Sequence, residues 1–512
     1  MSLKMSIMFN RIKSYFLFFS SLLLITTMGC KKGTFDINSV NPNSPSSVSP
    51  QFVLSAALAA TATATFGGNE DEINGYMGYT AFSGDYGGYG TEATYNLTTN
   101  DGSGNWDYVY NTVLVNYRFV EKASTGDATQ LNFLGIAKIM ESYHFARLVD
   151  LYNNIPYTQA LQGGVINYPV YDDAKTVYTS LIHQLDTAIV IINSATAAAA
   201  NPGSYDIMFG GDMTEWVHFA NTVKLKILLN LTKTADGPAL ITAELAGLTP
   251  DMFLGAGEDA AINPGYSNSS TAQQNPQWQD LGFTTAGAAT GGHQFRRANI
   301  YAVNFYQSTG DPRDSFFYQS LQPAAGGPTI VAGRAYGSLN GTDHNTNISA
   351  IGPGILQSAS QSAVILPAFE SLFLQADAIQ EGYLSGDAEA TYKSAVEESF
   401  RLLGVPDPTT AADTYITGPS NKVNWNIAPD KLTLIVTQEW AALNNYDAIQ
   451  AWDNWKRLGI PADLPVSIYP GTVASHIPYR YLYPTSEHTS NSANVDAQGT
   501  IDPTTSKIFW MP

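Results

Sequence analysis

The chain has 512 residues, 44% hydrophobic and 13% charged, a balance that suits a folded globular protein and excludes a disordered one. Its formal net charge is −19, and no Lys/Arg cluster is longer than Lys31-Lys32 or Arg296-Arg297. The basic face that phosphate binding needs is therefore missing, which disfavours a nucleic-acid role. Aromatic residues make up 12% of the chain and stand among many Gly, Asn, Ser and Thr residues, a mixture that favours a neutral polar ligand over a charged one.

At the N-terminus, Arg11 and Lys13 precede the apolar run Tyr15–Ile25, which is too short to span a bilayer and suits the core of a signal peptide. The run ends in Thr27-Met28-Gly29-Cys30, which resembles a bacterial lipobox, although Thr27 stands where Leu is usual. Cys30 is the only cysteine, so no intrachain disulfide can form and the single thiol stands where a lipid anchor needs one. Residues 1–29 are read as a lipoprotein signal peptide, and residues 30–50, with Pro42, Pro45 and Pro50, as a flexible tether. Residues 51–512 are read as a single domain, within which 249–363 form a loop-rich lobe.

The first expected helix is Gln51–Phe66. Gly67–Asn105, where glycines alternate with Tyr76, Tyr79, Tyr86 and Tyr89, lacks any sustained period and reads as a long shaped loop. Trp106–Lys122 is expected to be helical, with Trp106, Tyr110 and Tyr117 on one core-facing stripe. The stretch Thr129–Leu161 is apolar almost all round, so its helix must be wrapped by others. It should stop at Asn153-Asn154, which tolerate left-handed backbone, before Pro156. Further helices are expected at Tyr171–Ile192 and from an Asp212/Glu215 capping box to about Lys233. Leu366–Leu384 and Ala388–Leu403 form a pair that resembles tetratricopeptide units. Asp430–Asn445 and Tyr446–Leu458 form a last pair. From Gly459 to Pro512 seven prolines predict an extended tail wrapped round the body. The fold class is mostly α, tetratricopeptide-like helical pairs carrying a loop-rich ligand-binding lobe.

The chain contains no HExxH, GxSxG, GxxxxGK[ST] or CxxC, and its seven His are scattered, so no catalytic residue, metal ligand or cofactor is assigned. The acidic doublets Asp71-Glu72, Asp172-Asp173 and Glu397-Glu398 keep a helical glycoside hydrolase as the enzyme-class alternative, because paired carboxylates are defined in space and not in sequence. Asn100–Asn105 offers oxygen ligands in alternation as calcium loops do, but with a single acid and no distal Glu it reads as a plain turn.

Several stretches, in order along the chain, resemble the SusD/RagB family of outer-membrane nutrient-binding lipoproteins. They are Trp106-Asp107-Tyr108-Val109-Tyr110, ARLVDLYNNIPYTQAL, Trp216…Phe219-Ala220-Asn221, Gly310-Asp311-Pro312-Arg313, FLQADAIQEGY, Thr437-Gln438-Glu439-Trp440, Ala451–Arg457 and Ile477–Pro484. The resemblance implies a lipid-anchored, surface-facing outer-membrane protein that binds a nutrient and serves a TonB-dependent transporter (SusC-like) as its partner. It also implies binding rather than catalysis.

An oligosaccharide leads as the ligand, with a peptide or protein-derived nutrient as the alternative. Sugars present flat C–H faces and neutral hydroxyls, so their sites want exposed rings flanked by amide and guanidinium groups. Two loops offer that mixture. Tyr76–Tyr89 contributes Tyr86 and Tyr89. Tyr266–Phe283 contributes Tyr266, Asn275, Gln277, Trp278 and Phe283, with Arg296 shortly after. Trp278, in a polar Pro-Gln-Trp-Gln-Asp setting, is the ring most expected to stack on ligand.

Overall fold

The computed structural model describes residues 49–67, 70–87, 90–323, 326–339, 341 and 343–512. The signal segment, Cys30, the tether as far as residue 48, and Tyr89 lie outside the described residues. The helices of eight residues or more are α1 (Pro50–Phe66), α2 (Val115–Ser124), α3 (Leu131–Tyr152), α4 (Ala174–Asn193), α5 (Met213–Asn230), α6 (Gly237–Glu244), α7 (Ile300–Thr309), α8 (Ala368–Gln380), α9 (Ala388–Leu403), α10 (Pro408–Ile416), α11 (Lys431–Ala442) and α12 (Ala448–Leu458). Four short strands, β1 (Thr80–Phe82), β2 (Ala260–Ile262), β3 (Arg296–Ala298) and β4 (Ala363–Leu366), form two antiparallel pairs, β1 with β3 and β2 with β4.

The helix α3 is the strut on which the others lean, because only Leu131, Lys138 and Arg147 of its 22 residues escape burial. A helix apolar on every face must be covered on every face, and α2, α4 and α5 cover it. The second pairing is α8 with α9, flanked by α10 and α11, and α5 packs on both α3 and α8 and so joins the two halves. Asp212 caps α5 by accepting from the Thr214 and Glu215 amides at 2.8 and 3.3 Å. At its other end α3 stops at Asn153, whose φ of +65° is a left-handed backbone that asparagine tolerates.

The end of a helix leaves carbonyls without partners, and the C-terminal tail supplies donors to them. The Tyr481 amide donates to the Leu151 carbonyl at 2.9 Å, the Arg480 guanidinium to the Tyr152 carbonyl, and the Tyr483 hydroxyl to the Asn154 carbonyl at 2.7 Å. Trp510, fully buried, donates its indole N–H to Asp150 at 3.1 Å. The tail is not extended throughout, since Thr485–Ser490 and Ser492–Asp496 are short helices.

Three further expectations are corrected. The helix expected over Trp106–Lys122 runs from Ser103 but passes through a π-helical stretch, Val109–Leu114, before α2. The loop expected over Gly67–Asn105 contains short helices at Asp71–Tyr76 and Gly90–Thr94 as well as β1; these elements are shorter than the window in which a period can be recognised. The helix expected from Leu366 begins at Ala368, because Ala363–Leu366 pairs with β2 and Pro367 then opens the helix.

Charged side chains clamp the interior. Lys226 on α5 reaches Glu370 on α8 and Asp447 before α12, each at 2.7 Å, and Arg147 on α3 reaches the same Asp447 and Glu70. Arg457 on α12 grips Asp377 on α8 at 2.5 Å. In the Gly310–Arg313 stretch, Gly310 takes φ +68° to end α7, and the fully buried Arg313 binds Asp311, Ser399 and Gln438. That motif therefore serves the fold.

Candidate ligand-binding site

The pairing of β1 with β3 decides what the loops can build. Phe82 lies opposite Arg296, and the Ser83 amide extends the ladder to the Phe295 carbonyl at 2.7 Å. The chain leaving β1 therefore rises beside the short helix Gly291–Phe295 that leads into β3. There the Tyr86 hydroxyl donates to Gln294 Oε1 at 2.6 Å, and the Tyr86 ring meets Phe295 edge-on with centroids 6.4 Å apart. Tyr86 is 39% exposed.

The segment around Asn345 closes the other flank. Asn345 accepts from Arg297 Nε at 2.7 Å and from the Ser83 hydroxyl at 2.5 Å, and donates to the Gln294 carbonyl at 3.0 Å. Asp85 takes the Asn345 amide at 2.8 Å and lies 2.5 Å from His344 Nδ1. The Asn345 amide and the His344 side chain hold the Asp85 carboxyl below its usual range. The loop carrying Tyr86 is thus fixed by side chains more than 200 residues away in sequence, which is the preorganisation a binding surface needs.

Phe283, with Trp278 behind it, reaches the same short helix through His293. Asn275 caps the short helix Pro276–Leu281 by accepting from the Trp278 amide at 3.0 Å, and the Trp278 indole donates to the Phe283 carbonyl at 2.9 Å. The ring centroids of Trp278 and Phe283 are 5.7 Å apart, and those of Phe283 and His293 are 4.6 Å apart. His293 is bonded to the Leu281 carbonyl at 2.7 Å, and burial lowers its pKa, so it is a neutral imidazole at physiological pH. Rings thus run from Trp278 through Phe283 to His293, which leads in sequence to Gln294 and Phe295 and so to Tyr86. The two loops singled out in the sequence meet at the Gly291–Phe295 helix.

Seven of the eight candidate residues lie among the described residues, Tyr89 being outside them, and they divide when placed in the structure. Trp278 and Phe283 are half-buried, and Tyr86 is exposed. Tyr266 is half-buried against the core, and no ring contact joins it to the array among the described residues. Three candidates point inward, which corrects the expectation that they face ligand. Asn275, 1% exposed, divides its amide between the helix cap and the Gln361 carbonyl. Gln277 donates to the Asn445 carbonyl at 2.7 Å. Arg296 pairs with Glu92 at 2.7 Å and Asp71 at 3.4 Å while lying over the Phe82 and Phe295 rings. Their polar atoms are committed to the fold, so they support the surface from beneath. Sequence reasoning missed Gln294, Phe295, His293 and Asn345, because nothing marks a strand pairing only three residues long.

Two clefts large enough for a small ligand lie elsewhere. One, of about 430 Å³, is floored by Trp106 beside Tyr110 and Phe119. The other, of about 600 Å³, opens between α7, α11 and the loop after α12. None of the seven described candidates lines either cleft.

Other chemistry considered in the sequence is absorbed by structure. Among the described residues, the cluster with metal-ligand geometry is His183, Asp186 and Glu244, and Lys224 Nζ already sits 2.6 Å from Asp186 and 3.2 Å from Glu244. Asp101 accepts from the Thr98 amide and hydroxyl and from the Thr91 hydroxyl, as a turn would use it. Asp172 holds the Tyr157 and Thr158 amides, Asp173 caps α4, and Glu398 binds Arg401.

The family model described as SusD-like, starch-binding and associating with the outer membrane, matches residues 42–484. The chain belongs to the SusD-like family. Membership places it among carbohydrate-binding proteins associated with the outer membrane, and among the described residues no helix is long and apolar enough to cross a membrane. No curated protein sequence matches it. Solved structures share the fold. A chitin-binding SusD homologue from Flavobacterium johnsoniae is 23% identical, with 90% of this chain and 97% of that chain covered and a TM-score of 0.73. A SusD homologue from Bacteroides uniformis is 21% identical, with 91% and 100% covered and a TM-score of 0.74. A SusD-like protein from Bacteroides thetaiotaomicron is 21% identical, with 90% and 98% covered and a TM-score of 0.71.

Proposed function

We propose that this SusD-like protein is a lipoprotein, anchored through Cys30 on the outer cell surface, that binds an oligosaccharide and passes it to a TonB-dependent (SusC-like) transporter. The observation that carries the ligand class is the pair of half-buried rings Trp278 and Phe283, backed by the buried His293, with the exposed Tyr86 beside Phe295. These rings stand among neutral amides, with the nearby charges of Asp85 and Arg296 each satisfied within the protein. Such a surface offers stacking and neutral hydrogen bonds, which is what a sugar presents. A chitin-binding relative of the same fold supports a glycan over a peptide.

Binding without bond cleavage is the reading that the acidic groups favour. Asp71 and Asp280 are paired near the buried Arg296, but the cavity beside Asp71 has a volume of only about 20 Å³, far too small for a sugar ring. The test is a glycan array beside a peptide panel, followed by calorimetry on Trp278→Ala and Tyr86→Ala. Glycan binding weakened about tenfold or more by either substitution, with the fold retained, is expected. Binding of peptides and not glycans would sink the ligand class, and full affinity in both variants would move the site.

A further inference from the structure

The 600 Å³ cleft has the size of a small-molecule site and a lining whose charged groups each have a partner within the protein. Its floor is aromatic and rigid. Trp440, 1% exposed, donates its indole N–H to the Met77 carbonyl at 3.0 Å, and its ring is met by Tyr301 at 5.3 Å and by Phe305 at 5.1 Å. Tyr301, half-buried, forms one wall. Three ionised groups stand round this floor. Lys422 Nζ lies 5.7 Å from the centre of the Phe305 ring and 3.9 Å from the Asp463 carboxylate. Asp463 also accepts from the Tyr301 hydroxyl at 2.6 Å. Asp430 caps α11, taking the Thr433 amide at 2.6 Å and the Thr433 hydroxyl.

What is left over is neutral. The Asn421 amide and the Thr437 hydroxyl both line the cleft, and neither has a hydrogen-bond partner among the described residues. With Asp430 and Asp463 against the one cation Lys422 the lining is net negative, which disfavours an anionic ligand, and a cationic ligand would have to compete with the Thr433 cap or the Tyr301 hydroxyl for these carboxylates. A neutral ligand with hydroxyls on its rim and an apolar face needs neither, because it can lay C–H groups on the Tyr301 ring that Trp440 backs and bond Asn421 and Thr437.

We infer that the cleft between α7, α11 and the loop after α12 is a second glycan subsite, taking one or two uncharged sugar units and separate from the Tyr86–Trp278 surface. The assignment rests on the reading of this protein as a glycan binder. It adds that the protein holds a chain at two places, which raises avidity by making the second contact intramolecular.

Calorimetry with maltohexaose and chitohexaose tests it on the full soluble chain. Thr437→Trp fills the cleft, and Asn421→Ala removes one contact with little effect on packing, because Asn421 is exposed; circular dichroism and thermal melting verify both folds. Thr437→Trp is expected either to remove one of two binding events or to weaken a single event about tenfold, and Asn421→Ala to weaken it severalfold. A hexaose that binds with unchanged affinity and stoichiometry in both variants, while Tyr86→Ala or Trp278→Ala weakens it, overturns the subsite and leaves the nutrient-binding reading intact. Binding of trigalacturonate or trialanine that Thr437→Trp abolishes, with no hexaose binding, overturns the neutral ligand class. Absence of binding by both hexaoses overturns the inference, and the glycan array then decides separately whether the broader reading survives.

Discussion

Asp447 stands where α3, α5 and the start of α12 converge, fully enclosed, and its carboxylate answers three demands at once. It accepts Lys226 at 2.7 Å and Arg147 at 3.1 Å, and it caps α12 through the Gln450 amide at 3.1 Å. Lys226 and Arg147 overcome the cost of burial and bring its pKa down to about 2. Asp447→Asn keeps the cap and removes the charge, leaving two buried cations short of a partner. It should cost about 3–5 kcal/mol in urea unfolding, and a loss below about 1 kcal/mol would show that the cations re-pair at no cost. The depressed pKa also sets a pH signature. The stability Asp447 contributes is fully present above its unfolded value near pH 4 and is lost as pH falls towards 2.

Among the elements, the C-terminal tail repays attention because its sequence looks like filler. It supplies the donors that the end of α3 lacks, and Trp510 anchors it with its indole N–H on Asp150 and Lys456 Nζ 5.1 Å from its ring. Trp510→Ala should destabilise the protein by about 3–5 kcal/mol, the cost of emptying a large buried site, measured by chemical denaturation. A loss under about 1 kcal/mol would mean that the tail is an accessory. The strand pair β1–β3 shows the opposite economy, since three residues on each side suffice to bring Tyr86 beside Gln294 and Phe295. The two aromatic loops carrying Tyr86 and Trp278 could be singled out from composition and setting, but that Tyr86 and Phe283 both touch the segment 291–295 could not. Asn275, Gln277 and Arg296 carry the same polar atoms whether they face a sugar or a carbonyl, and only packing reveals which.

For the whole molecule, buried carboxyls make stability depend on pH in the direction opposite to Asp447. Burial pushes Glu439 and Glu141 up to about 8 each, against about 4 in the unfolded chain. The folded state therefore holds more protons than the unfolded state above pH 4, and stability falls as pH rises towards 8. His144, lowered by burial to about 3, works the other way but only below about pH 6.5. Between pH 6.5 and 8 the melting temperature should thus decline, and Glu439→Gln should flatten that decline; an unchanged slope in the variant would refute the assignment. At the scale of the cell, Cys30→Ala should give a product that no longer takes up labelled palmitate or fractionates with membrane. Retention of both would refute the anchor.

The sequence by itself determined the all-helical scaffold, because long apolar periods, capping residues such as Asp212 and stop signals such as Asn153 act within a turn or two of their own position. It also carried the family's ordered motifs, most of which prove to be clamps on that scaffold, as Arg313 on Asp311 and Arg457 on Asp377 show. Only the tertiary structure decided which loop residues lie side by side, which polar groups turn inward, and that α7 and α11 leave a cleft between them. Those outcomes depend on contacts between residues tens to hundreds of positions apart, and no local pattern encodes the register that brings them together.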